Sequence, residues 1–373
     1  MTRLQNLQKT FFGLGIDGLL VTSMPNIRYL SGFASDEQGV ASLLVARDNA
    51  YVITDYRFGE QAEEQCIGNG LEVIVRDRSR ESLGQTIRRL SRGAEVSRLG
   101  FERDHISYSQ WQSIAVDLRL DPECFKPLSG VVEMLRRVKD VTELQHMRKA
   151  GQVADASLEQ LLSNLRPGMS EREAAVILEQ ALSARGSEGV AFPTIFASGP
   201  RSSRPHGMPS DRVLRKGDMI TIDFGAVIEG YRSDMTRTVV LGKASEQQRE
   251  VYALVQEAQQ LGLNSVAAGL PCCEPANMVA DFLAQSPYAR FAGDGLGHAI
   301  GLETHEKPYF TASDDSIIEP GFVMTVEPGI YIPGWGGVRI EDDILVKAEG
   351  IELLTNFTRD LIEIPLQSAT ESA

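Results

Sequence analysis

Histidine is scarce in this chain, and three of its five copies lie in segments bracketed by glycine or proline: His206, His298 and His305. A single histidine taken alone is most often a hydrogen-bonded or solvated side chain, and we interpret His105 and His146 in that way. The other three lie outside any amphipathic helix pattern, which makes them candidates for chemistry. Imidazole can bind a metal ion, donate a hydrogen bond or transfer a proton near neutral pH.

Two aspartates fall on a segment that the sequence predicts to be a β-hairpin. Asp223 lies between apolar neighbours in the strand TIDFG, and Asp234 follows eleven residues later in RSDMT. A turn centred between Ile228 and Glu229 would place the two carboxylates opposite each other. Directly opposed like charges destabilise a strand pair, so this arrangement requires a compensating cation.

A second segment repeats the pattern with two glutamates. Glu327 lies in TVEPG and Glu341 in RIEDD, and the midpoint between them is Gly334 in the turn segment PGWGG. Pro328 is expected to distort one of these strands, because proline cannot donate a hydrogen bond to a neighbouring strand. The sequence therefore predicts two hairpins that each bring two acids together.

Four converging carboxylates would be neutralised by two divalent cations. Carboxylate-rich ligation with one histidine favours Mn²⁺ or Co²⁺, with Fe²⁺ and Zn²⁺ as alternatives. His298 is the best candidate for the nitrogen ligand, because its neighbours in GHAIG are small enough for a close backbone approach. The alternative interpretation is that the four acids are unrelated and lie on solvated hairpins.

The composition is that of a globular protein large enough for two domains. The chain has 373 residues, of which 42% are hydrophobic and 24% charged, and its net charge is −14. A surface of that sign repels phosphate backbones, so a nucleic-acid partner is not expected. The sequence shows no apolar run of membrane-spanning length and no signal peptide, so no membrane partner is expected. The four cysteines lack zinc-type spacing, which predicts reduced thiols and a cytoplasmic location.

Residues 1–130 are predicted to form an α/β domain. Short apolar strands are expected at 41–46 and 51–54, and helices are expected at 57–65 and 81–90. Strands and helices alternate along this part of the chain, which is the pattern of an α/β domain.

Residues 131–373 are predicted to form an α+β domain. Capping boxes at 142–145 and 170–173 indicate two helix starts, and Ser245 begins a third helix. Glycine-rich strand segments lie between and after these helices, an order that favours α+β over a parallel sheet. The C-terminal residues QSATESA are expected to form a frayed tail.

Long motifs occur in both parts of the chain. The first part contains MPNIRYLSGF and TDYRFGEQA, and the second contains SGPRSSRPHG, TIDFG, RSDMTRT, GHAIGLETHE and TVEPGIYIPGWGGVRIEDD. The first pair resembles the creatinase-type N-terminal domain. The second set resembles the catalytic domain of the pita-bread metallopeptidases, a family that includes prolidases, aminopeptidase P and methionine aminopeptidases. The resemblance covers the whole chain and implies a homodimer of two-domain subunits.

This resemblance implies two divalent metal ions and a set of five ligands. The ligands are Asp223, Asp234, His298, Glu327 and Glu341. It also implies that His206 and His305 bind the substrate and stabilise the transition state, that Glu327 shuttles a proton, and that Arg339 supports the metal-bridging acids. The expected reaction is hydrolysis of the bond between an N-terminal residue and proline in short peptides.

Two positions bear on the length of the peptide. Many prolidases carry an arginine shortly after the HE pair, whereas here that pair is followed by Lys307 and then Tyr309, which favours peptides longer than two residues. Many proline-directed members carry a histidine four residues before the metal-binding histidine, where this chain has Asp294. Asp294 either caps a turn or faces the pocket, where it would add a negative charge.

Four other functions share parts of the pattern. A strict Xaa-Pro dipeptidase differs only in how the chain beyond proline is met, and Lys307 or a residue of the N-terminal domain would then bind the carboxylate. Methionine aminopeptidases usually lack the extra N-terminal domain. A creatinase acts without metal and should lack this set of acids. A non-catalytic peptide-binding module would be expected to have lost ligands.

Overall fold

The computed structural model describes residues 1–366, so the predicted frayed tail lies outside the described residues. The chain divides into two compact units, the first being Met1–Arg136 and the second beginning at Arg137. Among the described residues, no helix is both long enough and apolar enough to cross a membrane.

The first unit contains a six-stranded mixed sheet with helices between its strands. Its helices are α1 Arg3–Leu14, α2 Met24–Ser31, α3 Gly59–Gln65, α4 Leu83–Gly93, α5 Tyr108–Leu118 and α6 Val131–Arg136. Its strands are β1 Gly18–Val21, β2 Ser42–Ala46, β3 Ala50–Asp55, β4 Glu72–Arg76, β5 Leu99–Glu102 and β6 Phe125–Leu128. The strand order is β4-β3-β2-β1-β5-β6, with parallel pairs at both edges. This confirms the predicted α/β class.

The predicted helices of the first unit begin later than the sequence suggested. α4 begins at Leu83 rather than at residue 81, because the Ser82 side chain accepts a hydrogen bond from the Gln85 amide and caps the helix. α3 begins at Gly59 rather than at residue 57, because the Arg57 guanidinium binds the Asp55 carboxylate in the preceding turn.

The second unit combines four helices with two sheets and two short ribbons. Its helices are α7 Val141–Asn164, α8 Glu171–Ala184, α9 Glu246–Ser265 and α10 Cys273–Ala284. Its first seven strands are β7 Ile195–Ser198, β8 Met219–Phe224, β9 Val227–Ile228, β10 Tyr231–Arg232, β11 Met235–Leu241, β12 Gly297–Ala299 and β13 Glu306–Phe310. The remaining strands are β14 Val323–Val326, β15 Gly329–Ile332, β16 Gly336–Arg339, β17 Asp342–Val346, β18 Ile351–Leu353 and β19 Ile362–Ile364. This is the α+β organisation that the element order predicted.

The two main sheets of the second unit have the orders β19-β11-β8-β7 and β13-β12-β14-β17-β18. One predicted capping box was misplaced: α7 is capped by Asp140, whose carboxylate accepts from the Glu143 amide, and not by Thr142. The predicted caps at Ser170 and Ser245 are confirmed. α10 was not predicted, because its first residue follows a Pro-Cys-Cys segment that carries no capping signal.

Each sheet has one apolar face packed on helices and one polar face. In β8, Ile222 and Phe224 join the core formed with α7 and α8, so the intervening Asp223 points to the opposite face. In β14, Met324 and Val326 join the core formed with α9 and α10, so Thr325 points away from it. Strand periodicity therefore directs the polar residues of both sheets away from the helices.

Candidate active site

The first acid-bearing hairpin differs from its predicted register by two residues. Asp223 pairs with Thr236 rather than with Asp234, because the turn is formed by Glu229 and Gly230 rather than by Ile228 and Glu229. Both turn residues have positive φ, 50° and 75°, as in the tight primed turns of β-hairpins. A shift of two residues preserves the face of the sheet, so Asp223 and Asp234 still lie on the same side.

The second hairpin has the predicted register. Val326 pairs with Asp342 on one side of the two glutamates, and Gly329 pairs with Arg339 on the other side. Both pairs have the same centre, Gly334, which places Glu327 opposite Glu341. The ladder is interrupted at this point, between β14 and β15, where Pro328 lies.

The structure brings the five predicted ligands to one cavity of about 570 Å³. The His298 Nε2 atom lies 3.3 Å from Glu327 Oε1 and 3.8 Å from Asp234 Oδ2. Ligand atoms of Asp234, His298 and Glu341 all lie within 4.8 Å of one another. Asp223 lies at the same cavity and binds the Arg339 guanidinium. The cluster therefore has the composition and the spacing of a metal centre.

The cluster carries negative charge that the protein itself does not compensate. Burial raises the pKa of Asp234 and of Glu341 well above their usual values, and the neighbouring carboxylates act in the same direction. Burial also raises the pKa of Asp223, although Arg339 opposes it. Burial alone would lower the pKa of His298, but its pairing with Glu327 raises it. Without a cation, the cluster thus draws protons to itself.

These residues fit divalent cations. The Oδ1 atoms of Asp223 and Asp234 are buried and have no hydrogen-bond partner among the described residues. A buried carboxylate oxygen without a donor costs free energy unless a cation binds it. The His298 Nδ1 atom lies 3.0 Å from the Ala299 carbonyl oxygen, which orients the ring and leaves Nε2 directed at the acids.

Two threonines hold the ligands, and sequence reasoning missed both. Thr236 Oγ1 donates to Glu341 Oε2 at 2.5 Å, and Thr325 Oγ1 donates to Glu327 Oε1 at 3.0 Å. Each threonine is two residues from an acid in its own segment, Asp234 or Glu327, and therefore shares its face of the strand. That spacing was the available signal, although threonine is common in strands for other reasons.

Arg339 is buried and binds three partners around the cluster. Its Nε donates to Thr236 Oγ1 at 2.9 Å, its Nη1 donates to the Tyr331 hydroxyl at 2.9 Å, and its Nη2 donates to Asp223. Tyr331 lines the cavity and was not identified from the sequence. Its partner Arg339 is eight residues away, on the other strand of a ribbon, so only the folded hairpin relates them.

The four predicted substrate residues line the same cavity, at different depths. They are His206, Asp294, His305 and Tyr309. The His305 ring lies 4.4 Å from the His298 ring, whereas His206 and Asp294 are exposed. Asp294 forms no hydrogen bond within residues 1–366, so the structure gives no support to its turn-capping role. Lys307 is exposed and is not part of the cavity wall.

Comparison with known proteins agrees with this geometry. Residues 145–348 match metallopeptidase family M24, and residues 3–138 match the Creatinase/Prolidase N-terminal domain. The uncharacterized peptidase YqhT of Bacillus subtilis (strain 168) is 39% identical over 360 residues, which cover 96% of this chain and 99% of that protein.

Two solved structures have the same two-domain fold. The Xaa-Pro dipeptidase from Bacillus anthracis has a TM-score of 0.91 and 39% sequence identity, over 96% of this chain and 98% of that one. The X-Pro aminopeptidase from Thermotoga maritima MSB8 has a TM-score of 0.86 and 32% identity, over 95% of this chain and 100% of that one. With these matches and its acid-lined cavity, the chain belongs to metallopeptidase family M24, in the branch that carries the creatinase/prolidase N-terminal domain.

Proposed function

We propose that this protein is a metal-dependent peptidase that cleaves the bond between a free N-terminal residue and proline, and that it accepts peptides longer than two residues. The observation that carries the proposal is the convergence of four acids and His298 in one cavity, with His206 and His305 in its wall. The similar proteins named for Xaa-Pro peptides support the proline preference.

The ligands in this proposal are the five side chains of the cluster, and they would hold two divalent ions, Mn²⁺ or Co²⁺ by their ligand chemistry. They are Asp223, Asp234, His298, Glu327 and Glu341. When bound, such ions polarise a carbonyl group and lower the pKa of a water molecule. The reduced state of the four cysteines supports a cytoplasmic location, and the homodimer implied by the sequence motifs is part of the same proposal.

The side chains around the ligands supply the remaining chemistry. Burial lowers the pKa of His305, and neighbouring His298 acts in the same direction, so its ring is neutral and can donate one hydrogen bond to the developing negative charge. Glu327, held by Thr325, is placed to carry a proton to the leaving nitrogen. His206, on the exposed side of the cavity, would orient the peptide.

The charges of the cavity wall favour substrates longer than dipeptides. A dipeptide has its carboxylate beside the scissile bond and needs a nearby cation. Among the described residues that line this cavity, Arg339 is the one arginine or lysine, and Asp223, Thr236 and Tyr331 already engage it. A strict dipeptidase, the alternative function, would therefore require a cation from outside this wall.

The substrate preference can be tested with three peptides and metal-loaded protein. We expect an Xaa-Pro-Yaa tripeptide to be cleaved with kcat/KM at least about tenfold above that of an Xaa-Pro dipeptide, a difference of about 1.4 kcal/mol. A Met-Ala peptide should be cleaved more slowly than both, because the site is proposed to select proline. Release of the N-terminal residue, followed by chromatography, measures all three rates.

The same assay needs a control for contaminating peptidases. Asp234→Asn protein, prepared in parallel, should release no residue from any of the three peptides. Hydrolysis of dipeptides alone would replace the proposal by the strict dipeptidase. Efficient release of methionine before alanine would contradict the proline preference altogether.

Asp294 provides a separate test of how charge selects peptide length. Its exposed carboxylate at the cavity wall would favour a substrate ammonium and disfavour a nearby carboxylate. Asp294→Asn should therefore raise the dipeptide kcat/KM relative to the tripeptide by about two- to fivefold, the size expected for an exposed charge. An equal response of both substrates, measured at low and high salt, would show that Asp294 does not select by charge.

A further inference from the structure

The segment that ends at His305 folds around a buried carboxylate on the side away from the cavity. Glu306 Oε1 accepts a hydrogen bond from the Glu303 amide at 3.2 Å, which closes a short loop. A Cβ atom at Gly301 would lie 2.8 Å from the same oxygen, so the carboxylate packs directly against the backbone. Glu306 therefore determines the path of the loop that carries His305.

Lys139 supplies the positive charge that this buried carboxylate requires. Its Nζ lies 3.2 Å from Glu306 Oε2, and the two side chains are only 1% and 7% exposed. The backbone of Lys139 is held as well, because its amide donates to the Gly321 carbonyl oxygen at 2.9 Å. A buried ion pair of this kind depends on both partners, since either charge alone would be left without compensation in a dry environment.

Neither member of this pair belongs to the cavity wall, whereas Thr304 and His305 do. The His305 ring meets the His298 ring at 4.4 Å with an interplanar angle of 64°. A small rotation of the loop would therefore change where the His305 ring nitrogens point. The geometry gives the ion pair a means to act on the site without touching a substrate.

We propose that the Lys139–Glu306 ion pair is a positioning device that holds His305 in place beside the candidate metal centre. This inference rests on the proposed function, in which His305 donates a hydrogen bond during catalysis. It assigns to Lys139, more than 150 residues away in the sequence, a role in turnover. Lys139 and Glu306 are thus positioning residues rather than catalytic residues.

The pair is tested with a double variant that removes both charges, Lys139→Met/Glu306→Gln. Glutamine retains an oxygen that can accept from the Glu303 amide, and the absence of both charges avoids an uncompensated one. We expect kcat for an Xaa-Pro peptide to fall about tenfold or more, with KM changed less than about threefold, while bound metal and melting temperature stay close to the parent. A folded double variant with parental kcat would overturn the proposal.

A double-mutant cycle identifies the residue through which the pair acts. In a His305→Ala background the double variant should lower kcat less than about twofold further, because the group that it positions is already absent. Equal fold losses in both backgrounds would show that the pair does not act through His305. Arg148→Met is the matched control, since it breaks another ion pair of the same unit, with Glu352, far from the cavity wall, and it should leave kcat unchanged.

Hydrogen exchange separates this inference from the proposed function, because it requires no substrate. Amides of residues 300–306 should exchange at least about tenfold faster in the double variant than in the parent, with other segments unchanged. Faster exchange without Xaa-Pro cleavage by the parent would leave the loop device standing and remove the proposed function. Unchanged exchange would overturn the device whatever the activity.

Discussion

Asp234→Asn is expected to lower kcat/KM by at least about 10³-fold, a loss of about 4 kcal/mol of transition-state stabilisation. The change removes one charge and one anionic ligand from a cluster in which the Oδ1 atom of Asp234 has no protein partner. The metal content, measured by elemental analysis after dialysis, should fall below two ions per chain. The fold should persist, because asparagine has the same size.

The same variant should have the opposite effect on the metal-free protein. Burial and the neighbouring carboxylates raise the pKa of Asp234 in the folded state, so its ionised form destabilises the fold as the pH rises above the usual aspartate pKa. Metal-free Asp234→Asn should therefore melt at a higher temperature than the metal-free parent at neutral pH, and with less advantage in acid.

Asp281→Asn is the matched control, since it makes the same chemical change at an exposed position of α10. It should retain the activity, the metal content and both melting temperatures of the parent. Full activity of the parent with at most one ion per chain at saturating metal would refute the dinuclear centre. Full activity of Asp234→Asn would refute its role as a ligand.

Arg339→Met is expected to destabilise the second unit by about 3–5 kcal/mol, the usual result of removing one partner of a buried ion pair. The Arg339 guanidinium is 3% exposed and holds Asp223, Thr236 and Tyr331 in one arrangement. Methionine fills a similar volume but leaves the Asp223 carboxylate without its cation. Denaturant unfolding of the metal-free protein, followed by a probe in the second unit, measures the difference.

Two further variants separate charge from geometry at this position. Arg339→Lys keeps the charge but cannot reach all three partners, so its stability should lie between that of the parent and that of Arg339→Met. Arg249→Met, which breaks a half-exposed pair with Glu363, should cost less than about 1 kcal/mol. Equal stabilities of Arg339→Met and Arg249→Met would contradict the proposed role of the buried arginine.

Local signals in the sequence were sufficient for one acid hairpin and not for the other. The segment around Gly334 contains proline and glycine at the turn, and its symmetry places Glu327 opposite Glu341, as the structure confirms. In the first hairpin, Ile228-Glu229 and Glu229-Gly230 were competing turn positions. The positive φ that a tight turn needs favours glycine, and the pair containing Gly230 forms the turn.

The side chains that support the site were mostly decided by the tertiary structure. The Thr236 hydroxyl reaches Glu341 across 105 residues, and Lys139 reaches Glu306 across 167 residues. No periodicity in either segment identifies such a partner, because hydrophobic patterns specify only which face of a strand or helix is buried. Which polar face meets which other face depends on how the sheets and helices pack.

By itself, the sequence determined the types of candidate ligand, their order along the chain and the pairing of acids within hairpins. Local rules suffice for these, since turn residues and strand alternation act over about ten residues. The tertiary structure decided that the polar faces of two separate sheets converge, so that Asp223 and Asp234 meet His298, Glu327 and Glu341 in one cavity. Burying the apolar faces of both sheets on helices stabilises this packing, and it brings the like-charged carboxylates together despite their mutual repulsion.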